Sequence, residues 1–183
     1  LEHILQGIDH LLFVAALVML VRNLRQLVLT ITAFTVAHSI TLAMATLGVL
    51  RVPGPPVEAM IALSIVFVAV EILRRQAGHP SIASQKPWLV AFSFGLLHGL
   101  GFAGALAEVG LPEGSIPLAL LFFNVGVELG QLLVVALLVA LAAAVRRYAG
   151  DVGRRAAVAG PAYAIGGIAS FWFIERVLAI GSA

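Results

Sequence analysis

The sequence predicts an all-α, polytopic membrane protein: one domain over residues 1–183, built as a bundle of six transmembrane helices. Three observations predict it. The chain is 61% apolar and only 11% charged, where soluble domains carry about a quarter of charged residues. Its mean hydropathy is +1.08. Six apolar stretches approach or exceed the roughly 20 residues needed to cross hydrocarbon, and basic or turn-forming segments separate them.

The first span runs from about 1 to 21 and stops at Arg22-Asn23-Leu24-Arg25-Gln26. The second, about 27–50, ends before Arg51-Val52-Pro53-Gly54-Pro55-Pro56. The third, about 57–73, is the shortest of the six and leads into a polar segment from Arg74 to Pro87. The fourth covers about 88–109 and gives way to Gly110–Pro117. The fifth, about 117–145, is followed by a basic connection from Arg146 to Arg155. The sixth covers about 156–178, with Pro161 in its first turns, where a missing N–H does least damage.

Charge sets the orientation. The first, third and fifth connections hold Arg22, Arg25, Arg74, Arg75, Lys86, Arg146, Arg147, Arg154 and Arg155, while the other side holds only Arg51 and Arg176. Positive loops stay inside, so loops 1–2, 3–4 and 5–6 are expected in the cytoplasm and both termini outside, in a bacterial inner (plasma) membrane. Trp88 and Trp172 suit interfacial belts. The first residue is Leu rather than Met, which leads us to expect a longer precursor with an exported domain or metal-delivery partner upstream. There is no cysteine, which excludes disulfides, thiolate metal sites and thiol catalysis. The basic residues sit in short loops rather than on a stripe, so nucleic acid is not an expected partner; membrane lipid is.

Ionisable groups in hydrocarbon are costly and usually face a bundle interior. Counting about 1.5 Å per residue from each outer helix end puts His10 roughly 13 Å deep, His38 roughly 18 Å, His98 roughly 16 Å and Glu128 roughly 15 Å. Four helices thus place a polar residue near one midplane. Thr35, His38 and Thr41 share a face at helical spacing. Gly95 and Gly99 flank His98 and allow close backbone approach. On the fifth span Asn124, Glu128 and Gln131 form a polar stripe, with Gly126 and Gly130 on a separate packing face.

Imidazole and carboxylate are ordinary ligands for Ni2+, Co2+ and Zn2+. His10, His38, His98, Glu128 and Asp9 are therefore the candidate metal ligands. His3 lies on the face of His10 two turns nearer the outside, where it can serve an incoming ion. Asn124, Gln131 and Thr41 are candidates for orienting the ligands from behind, as such sites require. Glu71, followed by Arg74 and Arg75 at i+3 and i+4, reads as structural. Glu175 and Arg176 read as outer-interface residues, Glu108 and Glu113 as solvated, and His79 as a loop residue.

Four motifs in order, HILQGIDHLLF, FTVAHSITL, FGLLHGLGFA and FNVGVELGQ, together resemble the HupE/UreJ family of small membrane proteins, in particular the branch that often follows an exported N-terminal region. The resemblance implies a nickel or cobalt permease or an accessory protein in metal uptake. It assigns His3, Asp9 and His10 from the first motif, His38 from the second, His98 from the third and Glu128 from the fourth.

Two function classes follow. The first is a divalent-metal permease with the metal ion as substrate, running down a gradient or coupled to protons, since the chain has no nucleotide-binding loop. The alternative is an intramembrane zinc-dependent hydrolase using the same cluster, with Asp9 or Glu128 as general base and Ser39 nearby. The HExxH and GxSxG patterns of many hydrolases are absent from the sequence, which favours the permease. A membrane metal sensor is a third option.

Overall fold

In the computed structural model the described residues are 7–21, 23–79, 82–108, 116–148 and 151–181. Helix α1 covers Ile8–Leu20, α2 Leu24–Thr46, α3 Gly54–Gln76, α4 a single turn at Ile82–Gln85, α5 Pro87–Glu108, α6 Ile116–Tyr148 and α7 Asp151–Gly181. Among the described residues there is no strand. The six long helices fall on the six predicted spans. Helices α2 and α3, with most of α6 and α7, are long and apolar enough to cross a membrane; α1 and the Pro87–Gly101 part of α5 are shorter apolar helices. The chain is an all-helical, polytopic membrane protein.

Several helix ends differ from expectation, each for a local reason. Helix α2 starts inside the predicted first loop because the Asn23 side chain accepts from the backbone N–H groups of Arg25 (2.9 Å) and Gln26 (3.4 Å). Such a cap satisfies donors that the first turn leaves orphaned. It stops at Thr46 rather than 50, because Gly48 turns left-handed at φ +73°. There its N–H bonds Ala45 O (3.0 Å) and that of Val49 bonds Met44 O (2.9 Å), a closure glycine makes easily. Helix α3 is not short: it has 23 residues, since Pro55 and Pro56 occupy a first turn where a missing N–H costs nothing. Helix α7 begins at Asp151, which puts Pro161 inside the helix rather than in its first turns.

The core gathers Phe13, Leu17 and Leu20 of α1, Ile31 and Phe34 of α2, Ile65, Val68 and Ile72 of α3, and Ile165 and Ala169 of α7. Helix α2 packs most extensively on α5, and α3 on α7. Gly95 and Gly99 make the α2–α5 contact possible. A Cβ on Gly95 would lie 2.5 Å from Phe34 O, and one on Gly99 would lie 2.3 Å from His38 O and 2.1 Å from Thr41 Oγ1. No side chain fits there without moving a backbone. The expected packing face of Gly126 and Gly130 is not used: both are exposed, with open space where a Cβ would go. Around them Leu121, Phe122, Leu129 and Leu133 are exposed, the surface a lipid-facing helix presents.

Both ends of α1 are tied to α3 through arginine. At one end Arg75 Nη1 donates to the Leu20 carbonyl. Beside it buried Glu71 accepts from the Ala83 N–H at 3.1 Å, holding the start of α4, with Arg74 4.0 Å away. At the other end Arg176 of α7 bonds Asp9 of α1 and the Glu58 carbonyl of α3, both at 2.9 Å.

Candidate metal centre

Three helices each contribute one imidazole to a single place. The ring of His10 on α1 lies 5.2 Å from that of His38 on α2 and 4.7 Å from that of His98 on α5, centroid to centroid and edge to face. His38 and His98 are 1% and 0% exposed, and His10 is half-buried. Phe13 and Phe34 close the cluster: their rings lie 5.0 and 5.1 Å from His98, and Phe34 stacks on His38 at 6.1 Å. Polar rings held in an aromatic shell are poorly hydrated, which strengthens any electrostatic interaction among them.

The spacing suits a shared ion. Two imidazoles bound to one cation at about 2.0–2.1 Å with a tetrahedral angle have centroids roughly 5 Å apart. The rings are not yet a cage: among the described residues no group of three His, Asp or Glu side chains is arranged to hold an ion as it stands.

One ring is held from behind. His98 Nε2 lies 3.1 Å from Ser64 Oγ on α3, and Ser64 in turn sits 2.6 Å from the Ile61 carbonyl. His98 Nδ1 is buried and has no hydrogen-bond partner among the described residues.

The family model described as HupE / UreJ protein matches residues 1–176. The chain belongs to the HupE/UreJ family. No curated protein and no solved structure matches it.

The other predicted residues of this HupE/UreJ chain are distributed around the three imidazoles rather than among them. Asp9 is turned outward onto Arg176 in an ion pair of 2.9 Å, with both side chains largely buried. Glu128 accepts from Thr32 Oγ1 at 3.0 Å on an exposed flank of α2. Thr32 lies six residues before His38 on α2, about 9 Å of helix rise, so this contact holds the carboxylate on Thr32 rather than beside the His38 ring. Gln131 is buried and its Oε1 lies 3.1 Å from Thr35 Oγ1. Its Nε2 and Asn124 Oδ1 are buried without partners among the described residues; Asn124 Nδ2 donates to Leu120 O at 2.9 Å. Thr41 packs under Gly99, its hydroxyl 3.3 Å from the His38 carbonyl. Ser39 Oγ donates to Thr35 O at 2.7 Å, which engages the only proton that a nucleophilic serine would surrender. His3, Glu108 and Glu113 lie outside the described side chains.

Sequence reasoning passed over Ser64 and the partners of Arg176. Ser64 is the only hydroxyl between Glu58 and Glu71, one residue from the middle of the predicted third span, so the depth rule that selected the histidines would have selected it had hydroxyls been counted. Arg176 is not an isolated interfacial charge. It lies 5.7 Å from the Trp172 ring centroid and joins Asp9 and Glu58, 2.9 and 3.7 Å away.

Proposed function

We propose that this HupE/UreJ chain is a divalent transition-metal permease for Ni2+ or Co2+, with Zn2+ a chemically compatible substrate, and that His10, His38 and His98 bind the ion in transit. The observation that carries it is the meeting of three imidazoles from three helices, 4.7 and 5.2 Å apart, with the buried Nδ1 of His98 facing no hydrogen-bond partner among the described residues. Neutral imidazole is a good ligand for all three metals. An incomplete set of ligands suits transport, because a site that closes fully around an ion releases it slowly.

Orientation follows the positive-inside argument, with both termini outside a bacterial inner membrane. The ion then meets the end of the bundle where Asp9, Glu58 and Arg176 are linked, reaches the imidazoles, and leaves toward the end held by Glu71 and Arg75. Glu128 lines the α2–α6 flank and fits an ion's approach or a proton's exchange better than central ligation; His3, seven residues before His10 in the sequence, is proposed from that spacing as an entry ligand.

The test is uptake into proteoliposomes loaded with a metal-sensitive dye, with Ni2+, Co2+ and Zn2+ supplied outside in turn. Metal-dependent dye response that is lost in His38→Ala and His98→Ala supports the permease. Uptake that survives the loss of all three imidazoles, or no uptake of any of the three metals, overturns it.

A further inference from the structure

Hydrogen-bond bookkeeping around Ser64 determines which nitrogen of His98 carries a proton. A serine hydroxyl has one hydrogen to donate. The Ile61 carbonyl, 2.6 Å from Ser64 Oγ, can only accept, so that hydrogen is spent on the backbone of Ser64's own helix, the usual back-bond of a serine inside a helix. The 3.1 Å contact between Ser64 Oγ and His98 Nε2 then has to run the other way, with Nε2–H donating into a serine lone pair. In a neutral imidazole one nitrogen donates and the other accepts. Nδ1 is therefore the bare nitrogen, and it is the buried one that meets no donor among the described residues.

We infer that Ser64 is a positioning residue that locks His98 as the Nε2–H tautomer and so turns the unprotonated Nδ1 into its free ligand atom. The arrangement needs both neighbours. Ser64 and His98 are 1% and 0% exposed, so no bulk water competes for either nitrogen, and Ile61 fixes the hydroxyl's direction. This is how outer groups act on imidazole ligands generally: the hydrogen bond made by one ring nitrogen decides which nitrogen the metal finds. The chemical class of ligand that Nδ1 accepts is a borderline divalent cation. That part rests on the permease reading, whereas the tautomer does not.

The full chain in nanodiscs, labelled with 15N-histidine and kept free of metal, tests it directly. The His98 ring nitrogens, assigned by their disappearance in His98→Asn, are expected to show Nε2 protonated and Nδ1 bare. Ser64→Ala is expected to release the ring to a mixture of tautomers, and Ser64→Thr, which keeps the hydroxyl, to restore the single form. Co2+ titration followed by visible absorption is expected to show about a 10–100-fold weaker site in Ser64→Ala, with recovery in Ser64→Thr, the range seen for outer-shell partners. A wild-type ring protonated on Nδ1 overturns the inference without any variant having to fold, as does an unchanged tautomer in Ser64→Ala. If the tautomer behaves as expected but Co2+ does not bind wild type, the permease reading fails and the Ser64–His98 relation stands.

Discussion

Asp9 and Arg176 meet at 2.9 Å, and that contact closes the chain on itself: the first described helix is pinned by the last. Arg176 also reaches the Glu58 carbonyl at 2.9 Å, so one guanidinium joins α1, α3 and α7 at the end of the bundle nearest His10. Guanidinium is suited to such a junction because it offers several donors in a fixed plane.

The first prediction concerns this junction. The two side chains are 21% and 16% exposed, so the pair is more than a surface contact and less than a fully desolvated one. In a double-mutant cycle, Asp9→Asn and Arg176→Gln are expected to show a coupling of about 1 kcal/mol in thermal or denaturant unfolding in detergent, above the ~0.3–0.5 kcal/mol within which independent sites add. Additive effects would mean that the contact does not hold α1 to α7.

Glycine supplies the second. Gly99→Ala sets a methyl carbon 2.3 Å from the His38 carbonyl oxygen, and the α2–α5 backbones must separate to admit it. A loss of about 1–3 kcal/mol is expected, the usual cost of overpacking, together with displacement of His98 from His38. Gly126→Ala meets open space and is expected to be neutral or to gain up to about 1 kcal/mol from helix propensity. Equal effects of the two in unfolding experiments would show that the α2–α5 contact is not close.

These outcomes bear on how much the sequence discloses. The six spans were legible because the bilayer demands long apolar runs, a signal that depends on no neighbour. The convergence of His10, His38 and His98 was legible for a related reason, since buried imidazoles at matching depth have few places to go except toward each other. Glu128 and Asp9 passed the same depth test, yet Glu128 bonds Thr32 and Asp9 bonds Arg176. Depth fixes a residue's height, and the azimuth that decides its partner depends on how helices rotate against each other. Gly126 and Gly130 show the same limit: their spacing matches that of Gly95 and Gly99, but only the second pair meets a partner helix.

A third prediction separates the two ends of the molecule. Glu71 is 4% exposed and accepts from the Ala83 N–H at 3.1 Å. Glu71→Leu removes that acceptor and leaves a buried donor unsatisfied, at a cost of about 1–3 kcal/mol. Faster proteolytic cutting in the connection around His79 is expected, with Co2+ binding at the imidazoles unchanged. Loss of Co2+ binding in this variant would show that the α3–α4 corner shapes the metal centre.

The last prediction asks which residues hold the ion. Anything that binds the folded state alone stabilises it by mass action, by about 2.7 kcal/mol at a ligand concentration 100 times the Kd. Adding Co2+ at that excess is expected to raise the unfolding midpoint of the wild-type protein. His10→Ala, His38→Ala and His98→Ala each remove one of three rings that lie within 4.7–5.2 Å of a neighbour. Each is expected to remove about half of the shift or more, since losing a ligand costs at least the ~10–100-fold seen on losing an outer-shell partner. Glu128→Gln keeps the oxygen that accepts from Thr32 and is expected to retain most of the shift, because its carboxylate is engaged on the α2–α6 flank. If Glu128→Gln cut the shift as deeply as the histidine variants, metal binding would have to draw α6 inward by rotation, and the carboxylate would belong among the ion's ligands.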